Sequence, residues 1–218
     1  MEFKHSIEVD ITRSVDLVLD RISDKNSAKP FLTLCHSNII ANIIFIKYIW
    51  YSREKYKFAD NLISDLLNAY CALANADSRI FYFYLRSSIE NFYKSSTIAD
   101  DSTQISYYKA EKNFGQLTGS SFNFIWQFKF IKFQYSQFSD SVHSNPKTNR
   151  SKTDEYIEDS LNKNDFSSPA ILMSSSYDLM NLLHVYADFY LRMPNFEPRE
   201  DSFYRHKDWL NYFLELLN

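Results

Sequence analysis

Apolar residues recur at helical spacing through most of the chain. In the opening segment Ile7, Ile11, Val15, Val18, Leu19 and Ile22 return every three or four positions, with Glu8, Asp10, Arg13, Asp16 and Asp20 between them. That pattern predicts an amphipathic helix ending near 24–27. A second helix is predicted over about 30–53, because Pro30 suits a first turn and the Ile-rich run after it is apolar almost all round, as in a buried helix. A third, over 58–76, places Leu62, Ile63, Leu66, Leu67, Tyr70 and Leu73 on one broad face. Asp77 and Ser78 then supply cap chemistry for a fourth helix, which carries Phe81, Leu85, Ile89 and Phe92 and closes in the polar run 95–103.

A shorter helix is predicted over 105–113, and the stretch 115–121, which holds both glycines of the chain, reads as a turn. The segment 122–142 carries two patterns. Phe122, Phe124, Trp126, Phe128 and Phe130 alternate as in a strand, whereas Ile125, Phe128, Lys132, Tyr135, Phe138 and Val142 fit a helix. An isolated strand would have no partner, so a helix is expected. The polar stretch 144–168 is expected to be a mobile loop with one short helix. Ser168 and Pro169 form a cap and first-turn pair for a long helix ending before Pro194, and a last amphipathic helix is predicted over about 202–217. With no internal repeat and no dividing linker, 1–218 is expected to be one all-α domain, a helical bundle.

Composition supports that class. Only 2 Gly and 5 Pro occur, too few for the turns of a hairpin sheet. The 19 Phe and 16 Tyr would suit strands, so the helical expectation rests on periodicity and on the scarcity of turn residues. A formal charge of -3 excludes an overall basic coat, while leaving room for a local basic patch. Two glycines cannot build the backbone cradles of nucleotide-binding motifs, and HExxH, GxSxG and paired CxxC are missing, so no cofactor is expected. Cys35 and Cys71 stand far apart and read as small buried residues in a reducing cytosol. The start mixes both charge signs without the apolar core of a signal peptide, and the apolar run 39–50 is too short to span a membrane. A cytoplasmic protein with no membrane partner is the expectation.

Candidate chemistry gathers in two stretches. Arg86, Glu90 and Lys94 follow one another at i,i+4 on the fourth helix, which suits a salt-bridge ladder on a solvated face and equally a partly buried guanidinium that clamps an anion. His143 follows Val142 at the C-terminal end of the sixth helix, where the helix dipole raises a histidine pKa; it would serve as a cap or as a titrating group. His184 and Asp188 are four residues apart, but two ligands are too few for a metal, so no metal site is expected and His184 reads as a hydrogen-bonded core histidine. His5, His36 and His206 have no partner that spacing identifies.

The two stretches read Arg86-Ser87-Ser88-Ile89-Glu90-Asn91 and Tyr135-Ser136-Gln137-Phe138-Ser139-Asp140-Ser141-Val142-His143. In this the chain resembles divergent branches of the HEPN superfamily, helical domains common in bacterial toxin–antitoxin and phage-defence systems. The likeness covers about 58–192 and makes that stretch a HEPN-like core, with extra N-terminal helices before it and the C-terminal amphipathic helix after it. Typical members carry a histidine separated from the arginine by four to six intervening residues. Here Asn91, Phe92 and Tyr93 stand in those places, and His143 would replace it from another helix. The resemblance implies metal-independent RNA cleavage with Arg86, His143, Glu90 and Asn91 as the catalytic set. Lys94, Tyr135, Asn145, Lys147 and Arg150 would hold the RNA, and the site would form in a homodimer controlled by a cognate antitoxin or defence-system protein. A helical adaptor without catalysis is the competing class. In it Arg86 and Glu90 form a structural ion pair and His143 caps its helix.

Overall fold

The computed structural model describes residues 2–20, 29–51, 57–75, 77–97, 105–118, 122–142 and 169–192. Among them every regular element is an α-helix: α1 (Glu2–Leu19), α2 (Lys29–Tyr51), α3 (Lys57–Ala74), α4 (Ser78–Thr97), α5 (Tyr107–Thr118), α6 (Phe122–Val142) and α7 (Pro169–Arg192). The polar stretch 144–168, with His143, Asn145, Lys147 and Arg150 in or beside it, and the helix predicted over 202–217 lie outside the described residues.

The local signals act as the sequence implies. Asp77 caps α4, its Oδ1 accepting from the Ile80 amide at 2.9 Å while its carbonyl accepts from the Phe81 amide at 2.9 Å. Ser106 does the same for α5, accepting from the amide of Lys109 at 3.4 Å. The Ile-rich run becomes the largely apolar α2, where Ile39, Ile43 and Ile46 are buried and Lys47 emerges into solvent. Among the described residues no helix is long and apolar enough to cross a membrane.

α4 is central: it packs against α3, α5 and α6, while α2 packs against α1, α3 and α7. The buried side chains of all seven helices form one cluster. At its middle Phe92 stacks on Tyr186 of α7, with centroids 4.0 Å apart and planes 13° from parallel, and meets Phe114 and Phe189 at tilted or edge-on angles. Tyrosines can be buried here because serines receive their hydroxyls. Three such rungs join α4 to α7: Tyr82 to Ser175 at 3.2 Å, Ser88 to Tyr186 at 3.3 Å and Ser95 to Tyr190 at 3.0 Å. Each serves a buried or half-buried hydroxyl that would otherwise be costly to remove from water.

The segment 122–142 is helical as expected, and its strand-like alternation is deceptive: Ile131 and Phe138 are buried whereas Trp126 is 54% exposed. Two expectations change. Gly115 does not begin a turn but lies inside α5, which runs on to Thr118. A Cβ there would meet the Phe128 ring at 3.2 Å, so the missing side chain lets α6 approach. Cys35 is buried as expected, with its thiol pKa pushed up to about 11 by burial, but Cys71 is exposed.

Candidate functional site

Arg86 and Glu90 occupy successive turns of α4 and pair across 3.5 Å, each side chain retaining about a quarter of its exposure at 27% and 26%. α6 runs antiparallel beside them. Tyr82 meets Phe138 at 5.6 Å between centroids, and Tyr93 lies across from Phe128 at the other end. Tyr135 therefore comes level with Arg86 and Glu90. Its hydroxyl accepts from Arg86 Nε at 3.2 Å and donates to Glu90 Oε1 at 3.1 Å, and the guanidinium carbon stands 5.4 Å from its ring centroid. Tyr135 also stacks on Tyr107 of α5, centroids 4.3 Å apart and planes 12° from parallel. Two hydrogen bonds and a stacked ring thus hold the phenol in one orientation.

The electrostatics favour a charged arginine. Burial works against the Arg86 charge, but the bond to Tyr135 and the nearby Glu90 carboxylate outweigh it and hold the guanidinium pKa above its ordinary value. Burial raises the Tyr135 pKa, opposed by Arg86 and reinforced by Glu90, so its hydroxyl keeps its proton at neutral pH. Around the stack, Tyr93 is fully buried and its hydroxyl has no hydrogen-bond partner among the described residues, and Lys132 reaches Glu111 at 2.8 Å to close the α5–α6 edge of the cluster.

Lys94 and Asn91 turn away from this cluster. Each i,i+4 step on a helix advances the direction by about 40°, so Lys94 has rotated towards α3, its Nζ standing 5.6 Å from the Phe58 centroid. Asn91 also faces α3, donating to Asp65 Oδ2 at 2.7 Å. Burial raises the Asp65 pKa, relieved by bonds from Ser87 and Asn91 and by Lys94. The expected residues therefore divide into two groups: Arg86, Glu90 and Tyr135 against α6, and Asn91 and Lys94 against α3. Val142, the last described residue before His143, is seven residues beyond Tyr135, about 10 Å along the α6 axis.

Sequence reading overlooked Tyr107 and Asp65. Asp65 had a usable signal, a lone carboxylate between Leu62 and Leu66 on an apolar face. It also overlooked a buried triad away from the cluster. His36 is fully buried on α2, with Nδ1 3.1 Å from Tyr70 Oη and Nε2 3.4 Å from Ser176 Oγ. Ser176 donates its proton to the Leu172 carbonyl at 2.8 Å, so it accepts from His36 Nε2–H and Tyr70 donates to Nδ1. His184 is not fully satisfied as a core histidine: among the described residues its buried Nε2 has no hydrogen-bond partner, and burial lowers its pKa. Its neighbour Asp188 instead accepts from Gln127 of α6 and from Arg192, the latter at 2.6 Å. Among the described residues no three His, Cys, Asp or Glu side chains are grouped to hold a metal ion. Comparison of the chain with protein-family models, with curated proteins and with solved structures gives no match.

Proposed function

We propose that this chain is a HEPN-like effector that cleaves RNA without a metal, in a bacterial toxin–antitoxin or phage-defence setting. One observation carries the reading: Arg86 and Glu90, from the first stretch, meet Tyr135, which opens the second. Helix side chains lean towards the N-terminus of their helix, so Arg86 leans in the direction in which antiparallel α6 continues to Val142. In the reaction His143 takes the proton of the 2′-hydroxyl, whose oxygen attacks the adjacent phosphorus. The P–O5′ bond breaks and the leaving oxygen takes a proton from water, while His143 returns its proton to water, giving a cyclic phosphate and a free 5′-hydroxyl. Arg86, held by Tyr135 and Glu90, stabilises the pentavalent phosphate. Asn145, Lys147 and Arg150 hold the RNA backbone, and a second copy of the chain completes the cleft.

The test is cleavage of single-stranded RNA by the purified full chain in EDTA. His143→Ala and Arg86→Ala should each lower the rate by at least about a hundredfold while far-UV circular dichroism stays unchanged. Cleavage that survives both substitutions removes this site from the reaction, and the absence of cleavage by the unaltered chain removes the reaction.

A second reading, a non-catalytic helical adaptor, is favoured by the partners these side chains already have: Glu90 and Tyr135 for Arg86, Asp65 for Asn91. In that case Tyr135→Phe, which deletes only the bridging hydroxyl, lowers stability by about 1 kcal/mol and Tm by about 2–4 °C, with no activity to lose. A Tyr135→Phe protein with unchanged Tm but reduced RNA cleavage counts against it.

A further inference from the structure

The outer face of the α5–α6 hairpin carries a pattern that neither the core nor the Arg86 cluster uses. On α6, Trp126, Lys129 and Phe133 follow at helical spacing and point outward, Trp126 54% and Phe133 59% exposed. Lys132, 63% exposed, stands one position from Phe133. On α5, Tyr108 is 80% exposed, and Lys112, four residues later, shares its side of the helix. The two helices are antiparallel, with Tyr107 opposite Tyr135 and Glu111 opposite Lys132. The aromatic rings and lysines of both helices therefore lie along one surface.

The charge of this surface is opposite to that of the chain. The hairpin holds Lys109, Lys112, Lys129 and Lys132 against Glu111, which is 13% exposed and paired, and Asp140 at the far end of α6. The whole chain carries -3. Exposed planar rings interleaved with lysines satisfy both parts of a single strand at once: bases stack on rings, and phosphates pair with ammonium groups. A purely apolar partner would leave the lysines uncompensated. A duplex hides its base faces from the rings.

We infer that the outer α5–α6 face binds single-stranded nucleic acid, with Trp126, Phe133 and Tyr108 as stacking platforms and Lys112 and Lys129 as phosphate contacts. It rests on the proposed function only for the choice of RNA over DNA. The Tyr107–Tyr135 stack joins this face to the Arg86 cluster, so a strand lying along the hairpin passes beside that cluster.

The experiment is fluorescence anisotropy of a labelled oligouridine titrated with the full chain at two salt concentrations. Lys132 is left intact because it neutralises Glu111. Lys112→Glu with Lys129→Glu should weaken binding by at least about tenfold at low salt and flatten its salt dependence. Trp126→Ala with Phe133→Ala should weaken it about tenfold while keeping the salt dependence. These residues are exposed, and matched melting curves confirm folding. Arg79→Ala, an exposed cation near the start of α4 with no part in this face or in the cleavage site, should bind as the unaltered chain does. Equal binding by the surface variants and the unaltered chain overturns the inference, as does binding to a duplex at least as tight as to the strand. Sedimentation with phosphatidylserine vesicles, without oligouridine binding, overturns it in favour of a membrane surface. Unimpaired cleavage by the surface variants with unchanged binding leaves the cleavage site standing and removes only this face.

Discussion

His36 is a histidine placed where it cannot accept a second proton without losing a partner. Its Nδ1 receives the Tyr70 proton and its Nε2 proton goes to Ser176, so protonating Nδ1 would force the Tyr70 hydroxyl to turn from donor to acceptor and give up the bond its proton makes. Burial agrees with that geometry and lowers its pKa from 6.5 to about 4. Between those values the unfolded chain binds a proton that the folded chain does not, so stability rises with pH and falls as the solution is acidified through this window. The difference corresponds to about 3 kcal/mol at and below pH 4. Half-buried Asp65 and Asp178, whose pKa values burial raises, act with the opposite sign near the ordinary carboxylate range. The clean measurement is therefore a comparison: urea midpoints of the unaltered chain should fall more steeply from pH 7 to pH 4 than those of His36→Leu. Parallel curves would show that His36 does not set the slope.

At the scale of elements, the α5–α6 hairpin depends on the absence of a side chain. Gly115 costs α5 about 1 kcal/mol of helix propensity relative to alanine, yet its bare Cα receives the Phe128 ring. Gly115→Leu should lower stability by about 1–3 kcal/mol through overpacking, despite its better propensity. A Tm equal to or above that of the unaltered chain would show that Phe128 can move aside. The same residue shows why sequence reading shortened α5. A glycine signals either a chain reversal or a close approach, and only the position of Phe128, a contact across two helices, distinguishes them. Local signals such as Asp77 were legible because cap and helix are neighbours in sequence. The Arg86–Glu90 pair was legible for the same reason, and its link to Tyr135 came through resemblance rather than spacing. Lys94 was misplaced because i,i+4 steps drift around a helix, and His36 found no partner because Tyr70 and Ser176 lie on other helices.

Across the whole molecule, α4 is the element on which the rest depends, and Phe92 is its centre. It touches α5 through Phe114 and α7 through Tyr186, Phe189 and Tyr190, so truncation opens a cavity shared by three helices. Phe92→Ala should cost about 3–5 kcal/mol, a large part of the stability of an ordinary domain. Chemical denaturation would measure it, and a loss below about 1 kcal/mol would mean that the surrounding rings collapse into the space.

The three serine–tyrosine rungs between α4 and α7 bear on how this chain can change over generations. Replacing Ser88 by an apolar residue strands the hydroxyl of Tyr186, and replacing Tyr186 by phenylalanine leaves Ser88 only its bond to the Leu85 carbonyl. Either single step passes through a less stable protein, whereas the paired exchange removes both hydroxyls together. Positions 98 residues apart in the chain are thus expected to be inherited as a couple. In descendants of this sequence an aromatic ring without its hydroxyl on α7 should arrive together with the loss of the serine on α4.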